Sequence, residues 1–352
     1  MEIVWDVIGT VVAQVQKPTL AFLIGGMMLA ACGSKLEVPT PVYKFVVMVL
    51  LLKVGLGAGI SVREADLVAL AVPAILAATV GIGIVLIGSG TLARWRGVSQ
   101  MDGMATAGVF GAVSASTLAA GMAMLDAEQI AYEGFIGALY PFMDIAALVT
   151  AIVLARISVA RKTVSTSSDG TMMIGGGTSG TSASFDGQII RDISRDTFQS
   201  PAISALVLGI VIGVLGRPET VYHSFYEPLF KGLLSILMLV MGMEAWSRLS
   251  ELRKVAGAYV LYGLGAPLIH GLLGFSAGLL AHHLTGFSAG GVVLLSVMAA
   301  SSSDISGPPT MRGALPEANP SAYVGASTGL GTPVAILSIP LWIALADLFI
   351  GL

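Results

Sequence analysis

The chain has 352 residues, 55% hydrophobic and only 11% charged, with a net charge of −3 and a mean hydropathy of +0.88. A soluble domain carries roughly a quarter charged residues, so a water-soluble globule is excluded and a polytopic membrane protein is expected. The small net charge is spread over loops and points to no nucleic-acid partner, and the single cysteine, Cys32, excludes an internal disulfide.

The first 17 residues, MEIVWDVIGTVVAQVQK, are acidic rather than basic and carry no cleavage signature, so they do not read as a removed signal peptide. A span needs about 20 apolar residues. Candidates lie at 18–36, 41–60, 66–90, 103–125 and 132–158, and then at 200–216, 225–246, 255–284, 288–311 and 322–350. Their continuous apolar runs, with 44 glycines and few aromatics, suit close-packed helices and exclude a barrel of alternating ten-residue segments. The Ser-, Thr- and Gly-rich stretch 161–199 cannot bury a core and reads as a flexible linker. Three units follow: a five-span repeat over 1–160, the linker over 161–199, and a second five-span repeat over 200–352.

The halves resemble each other. Pro18, Gly26 and Gly33 match Pro201, Gly209 and Gly216 at an offset of 183. Gly57, Arg63 and Leu67 match Gly242, Arg248 and Leu252 at 185, and Tyr132, Gly134 and Leu139 match Tyr323, Gly325 and Leu330 at 191. Five spans per half send the second half in from the opposite side, so the repeat is inverted, as is common in secondary transporters. If spans alternate, one side holds Lys17, Arg63 and Arg217. The other holds Lys35, Arg94, Arg96, Arg156, Arg161, Lys162, Arg191, Arg195, Arg248, Arg253, Lys254 and Arg312. The positive side is cytoplasmic, which puts both termini outside and the linker inside.

The fourth span is interrupted by GAVSAST, with Ser114, Ser116 and Thr117, and the ninth by SSSDISGPP, with Ser301, Ser302, Ser303, Asp304, Ser306 and Gly307. Each is the fourth span of its half, so the two breaks are expected to meet near the midplane. Unsatisfied backbone persists at that depth only under cover of protein or a water-filled cavity. Each break is expected to expose the N-terminus of a half-helix, with free N–H groups and a positive dipole end for an anion. Pro308 and Pro309 suit the start of the restarted helix. Asp304, beside hydroxyls and carbonyls, suits Na⁺, and an anion and a cation bound together offset each other's charge at low dielectric. The bland alternative is a kinked helix whose serines bond back to the preceding turn.

GAVSAST, GALYPFMDI, SILMLVMGMEAWSR and above all AASSSDISGPPT with NPSAYVGASTGLGTP resemble the cyanobacterial sodium-dependent bicarbonate transporters. The resemblance covers nearly the whole chain except the linker, which is shorter and less charged than that family's. It implies an all-α fold of ten transmembrane helices as two inverted five-helix repeats, with broken helices at spans four and nine. An elevator mechanism is implied, with a mobile core of spans three to five and eight to ten against a gate of one, two, six and seven.

Carried over, the bicarbonate site falls on Phe110, Gly111, Ser114, Ser116, Thr117, Ser301, Ser302, Ser303, Ser306 and Gly307. The Na⁺ site is expected at Asp304 with Ser302 and Ser303, and Asp144 and Thr332 are further candidate ligands; the alternative for Asp144 is a place in the core's hydrogen-bond network. The family implies Na⁺-driven import of HCO₃⁻ through the plasma membrane for inorganic carbon concentration, with no cofactor. It also implies a homotrimer and a cytoplasmic, trimeric PII-like regulator that binds adenine nucleotides, docking near Arg94, Arg96 and Arg248 to Lys254. Rival readings are cotransport of another small anion, such as sulfate or a small carboxylate, or an anion channel, which needs no Asp304.

Among the remaining residues, Glu244 and Arg248 read as a local ion pair, His270, His282 and His283 lack metal-site company, and Lys53 and Lys231 are expected to snorkel. GTSG at 177–180 falls in the linker and marks no protease, and Asp144 and Asp304 lack the glycine-flanked pair of an intramembrane aspartyl protease. No phosphate-binding loop is present, so direct ATP coupling is not expected, and the chain reads as a transporter rather than an enzyme.

Overall fold

A computed structural model describes residues 18–64, 67–166, 195, 199, 201–252 and 257–352, and among them every regular element is helical. Hydrocarbon offers the backbone no partner, so long apolar runs satisfy their own N–H and C=O groups as helices. In chain order these are α1 (Pro18–Ala31), α2 (Thr40–Glu64), α3 (Leu67–Gly90), α4 (Gln100–Gly111), α5 (Ala115–Ala127) and α6 (Tyr140–Thr166). Then come α7 (Pro201–Leu215), α8 (Glu227–Leu252), α9 (Gly257–Thr285), α10 (Ala289–Ala300), α11 (Gly307–Ala314), α12 (Pro320–Val324), α13 (Thr332–Leu337) and α14 (Ile339–Phe349). A 3₁₀ turn at Gly134–Leu139 leads into α6, and a π-helical segment at Gly325–Gly331 joins α12 to α13.

Seven stretches among the described residues are long and apolar enough to cross a membrane, and three shorter apolar helices lie at Pro18–Ala31, Ile203–Leu215 and Ala289–Ala300. Large apolar side chains such as Met28, Ile75, Leu86, Ile269 and Leu348 are exposed, as a lipid-facing surface requires. Helix α1 stops earlier than the apolar run suggests: Gly33, at φ 74°, donates to Ala30, and Ser34 donates to Leu29, closing the end in a left-handed cap. Helix α6 runs on to Thr166, six residues into the stretch that reads as linker. The rest of that linker, with GTSG and Arg191, lies outside the described residues, as do residues 1–17, Arg253, Lys254 and the side chain of Arg248.

Glycines set how the long helices meet. Helix α1 packs on α8 and α2 on α7. A Cβ at Gly26 of α1 would overlap the Leu239 carbonyl of α8, and one at Gly242 of α8 would overlap that of Leu23. The α2–α7 pair repeats this: a Cβ at Gly209 would strike the Leu52 carbonyl, and one at Gly55 that of Leu206. Without a hydrophobic drive between helices in lipid, such close backbone approach is what holds them. The four contacts relate α1 to α7 at an offset of 183, as the sequence suggests, but α2 to α8 at 187 rather than 185. Gly55, not Gly57, is therefore the contact counterpart of Gly242; Gly57 faces the Tyr222 hydroxyl instead.

Helices α3, α4 and α6 pack together, α9 packs on α10, and α3 touches α9. Residues 134 and 325, matched by sequence, both open irregular helical turns, and each leads into the last apolar stretch of its half.

Candidate functional site

The site is built where α4 and α10 stop. Both helices are twelve residues long, and both start under a serine cap: Ser99 Oγ accepts from Asp102 N and Ser288 Oγ from Gly291 N. Twelve residues rise about 18 Å, so each carries the chain partway across and leaves it in mid-membrane. Ala112 and Ser301 then turn to extended backbone. The chain restarts as α5 after Ser114 and as α11 after Ser306. Pro308 and Pro309 enforce the second break, because a continuous helix would need their missing N–H groups to bond the carbonyls of Asp304 and Ile305.

The two breaks are laced together. Ser303 N donates to Val109 O at 2.8 Å, and Ser114 N donates to Ser301 Oγ at 3.0 Å. Ser116 Oγ donates to Asp304 Oδ2 at 2.7 Å. Asp144, fully buried on α6, joins both: its Oδ1 accepts from Val113 N at 3.0 Å, and Ser306 Oγ donates to its two oxygens at 3.2 and 3.1 Å. Asp144 is thus a member of the hydrogen-bond network. Asp304 differs: Ser116 holds one oxygen, while Oδ1 is buried with no hydrogen-bond partner among the described residues. A buried carboxylate oxygen left in that condition is costly until a cation or donor reaches it.

The half-helix ends are unequal. At α5, Ser114 Oγ accepts from Thr117 N at 3.2 Å and Thr117 Oγ1 at 3.0 Å, and lies 2.8 Å from Ser116 Oγ. The amides of Ala115 and Ser116 have no acceptor among the described residues and mark the positive end of the dipole. Residues Ala115 and Ser116 line a void of about 10 Å³, together with Leu50, Leu51, Val54 and Leu237, about the size of one water. At α11 the expectation of free N–H groups is corrected. Gly307 N is spent on Ser303 Oγ at 2.8 Å, the next two residues are prolines, and Thr310 N bonds Ser306 O. Donors for an anion come from the α5 side and from hydroxyls.

Phe110 is buried edge-on to Tyr262, with ring centroids 5.0 Å apart. At Gly111 a Cβ would meet Ala147 and Val85 at 2.9 Å and the Gly81 carbonyl at 3.0 Å, so the glycine permits close packing there. Ser302 and Thr332 lie 3.3 Å apart, hydroxyl to hydroxyl. Gly331, which the sequence reading passed over, sits against both neighbours: its Cβ would come within 2.7 Å of Phe110 and 3.0 Å of Ser302 Oγ. Val109 and Val113 were also missed, because their backbone acts and no side chain signals it. Lys53, expected to snorkel, is instead 6% exposed, with Nζ 4.3 Å from the Phe230 ring centroid.

The donor set is carboxylate, hydroxyl and carbonyl oxygen, hard ligands suited to an alkali or alkaline-earth cation. No three His, Cys, Asp or Glu side chains gather into a metal site among the described residues.

A family model described as the Na⁺-dependent bicarbonate transporter superfamily matches residues 18–347. No curated protein matches the chain.

Proposed function

The chain belongs to the Na⁺-dependent bicarbonate transporter superfamily, and from that premise we propose that it is a symporter that imports HCO₃⁻ with Na⁺ for inorganic carbon concentration. It is a multi-pass membrane transporter, not an enzyme. One observation carries the reading: Asp304 is tied by one oxygen to Ser116, at the start of α5, while its other oxygen is buried with no hydrogen-bond partner among the described residues. A cation at that oxygen and an anion at the Ala115 and Ser116 amides would sit close enough to neutralise each other. Either ion alone would leave an uncompensated charge at low dielectric, which is the physical basis of coupling.

In this reading Asp304 holds Na⁺ with Ser302, Ser303 and Thr332, and Asp144 braces the two breaks. Bicarbonate contacts the α5 end and the hydroxyls of Ser114, Ser116, Thr117, Ser301 and Ser306, under Phe110. The chain forms ten spans as two inverted repeats, a reading supported by the glycine contacts that recur at offsets 183 and 187. Helices α1, α2, α7 and α8 form the gate, and the rest form the core that carries both ions past it. The termini lie outside the plasma membrane and the linker inside. The functional unit is a trimer, and a PII-like regulator docks at the cytoplasmic face, where Arg94 and Arg96 are exposed beside the short turn at Leu92–Arg94.

The test is radiolabelled bicarbonate uptake into proteoliposomes with and without an inward Na⁺ gradient. Uptake that requires the gradient supports symport; equal uptake in both conditions sinks it.

A further inference from the structure

The π-helical segment Gly325–Gly331 has no role in this transport scheme, yet it is buried throughout and runs straight into Thr332. In a π-helix each N–H bonds the carbonyl five places back, and the last such bond here is Thr332 N to Ser327 O. The next donor in line is Pro333, which has no N–H. Thr328 therefore loses both of its intrahelical donors: the amide four places on is spent on Ser327, and the residue five places on is the proline. Gly329 still has the Val334 amide five places on. No side chain among the described residues donates to the Thr328 carbonyl. At membrane depth a carbonyl in that condition is costly until a donor or a cation reaches it.

The first half of the chain holds a matched turn for comparison. Pro141 and Pro333 are each the second residue of the helix that follows an irregular turn. Pro141 deprives the carbonyl four places back, that of Gly137. The tighter 3₁₀ turn makes this good, because Tyr140 N bonds Gly137 O. The wider π turn makes no such repair, so of the two matched turns only the second leaves a carbonyl open.

Helix carbonyls point toward the C-terminal end, so that of Thr328 points at the next turn, where Thr332 stands. Thr332 Oγ1 lies 3.3 Å from Ser302 Oγ and 3.5 Å from Ser302 O. The turn thus directs a neutral, hard oxygen toward two hydroxyls and a second carbonyl, the ligand type that an alkali cation takes.

We infer that the Thr328 carbonyl is a further ligand of the cation, left open by the π turn and Pro333. Resting on the proposed function, the cation is Na⁺, and Thr328 joins Ser302 and Thr332 in its shell.

The test returns the missing donor. Pro333→Ala restores an N–H that can bond Thr328 O and so withdraw it from the cation. In proteoliposomes of the full-length protein, the Na⁺ concentration for half-maximal bicarbonate uptake should rise about tenfold, as loss of one contact to a charge implies, with the KM for bicarbonate at saturating Na⁺ within about twofold of wild type. Pro141→Ala should leave the Na⁺ requirement unchanged, because Gly137 O is already taken. An unchanged Na⁺ requirement in Pro333→Ala overturns the assignment. So does an equal rise for Na⁺ and bicarbonate, or an equal shift in Pro141→Ala, either of which marks the prolines as shaping the core. Isotope-edited infrared spectroscopy of wild type labelled with ¹³C-carbonyl threonine needs no proline variant to fold. Replacing choline by Na⁺ should shift one amide I component that the labelled Thr328→Val protein lacks; no such shift overturns the assignment. If wild type shows no Na⁺-driven uptake but the infrared shift is present, the transport reading fails and the ligand stands.

Discussion

Ser116 Oγ donates to Asp304 Oδ2 at 2.7 Å across 188 positions of sequence, tying the first turn of α5 to the break that precedes α11. The two breaks are thus one polar assembly, and disturbing either reaches the other.

Asp304→Asn keeps a carbonyl oxygen for Ser116 and removes the charge. The protein should fold, and its Na⁺ requirement should rise more than tenfold, because a neutral amide gives a cation no ionic partner. Bicarbonate uptake measured against Na⁺ concentration decides it. A Na⁺ curve identical to wild type would remove Asp304 from the cation site.

Asp144→Ala should be a stability mutant. It strands the Val113 amide and the Ser306 hydroxyl in a buried site, at about 1–3 kcal/mol for each lost partner. Asp144→Asn keeps an acceptor and should lose less. Thermal unfolding in detergent reads the order Ala below Asn below wild type; an alanine variant as stable as wild type would contradict the bracing role.

Gly55→Ala and Gly242→Ala each drive a Cβ into a carbonyl of the facing helix, Leu206 and Leu23 respectively, whereas Gly57→Ala meets the outer end of a side chain, the hydroxyl and ring edge of Tyr222. Overpacking of the first kind costs about 1–3 kcal/mol. Melting temperatures should fall for the first two and much less for the third. The reverse order would restore the offset of 185 between α2 and α8.

Gly331→Ala pushes on Phe110 and Ser302 together. Displacing Ser302 from Thr332 should weaken Na⁺ binding severalfold, because in the proposed site each hydroxyl contributes one oxygen, and crowding the buried Phe110 ring should also lower the melting temperature. Na⁺ titration of uptake and a melting curve separate the two effects. An unchanged Na⁺ affinity would exclude the Ser302–Thr332 pair from the cation site.

Much of this was legible in the sequence for a physical reason: hydrocarbon tolerates few interruptions. Serines, an aspartate and two prolines inside apolar spans had to be excused by a site, so GAVSAST and SSSDISGPP announced themselves, and their equal place in each half predicted that they meet. Apolar runs and glycine spacing likewise determined an all-helical membrane protein. What the sequence left open was which atoms are consumed. Asp144 and Asp304 look alike as letters; only the fold gives both oxygens of one to Ser306 and Val113 and leaves an oxygen of the other without a hydrogen-bond partner among the described residues. Gly307 and the prolines read as a donor-rich helix start, until Ser303 Oγ took the one amide available. Lys53 read as a snorkelling lysine because depth and direction depend on which neighbours cover α2. Composition and period decide what must be buried; the tertiary structure decides which buried groups find partners, and function resides in those that do not.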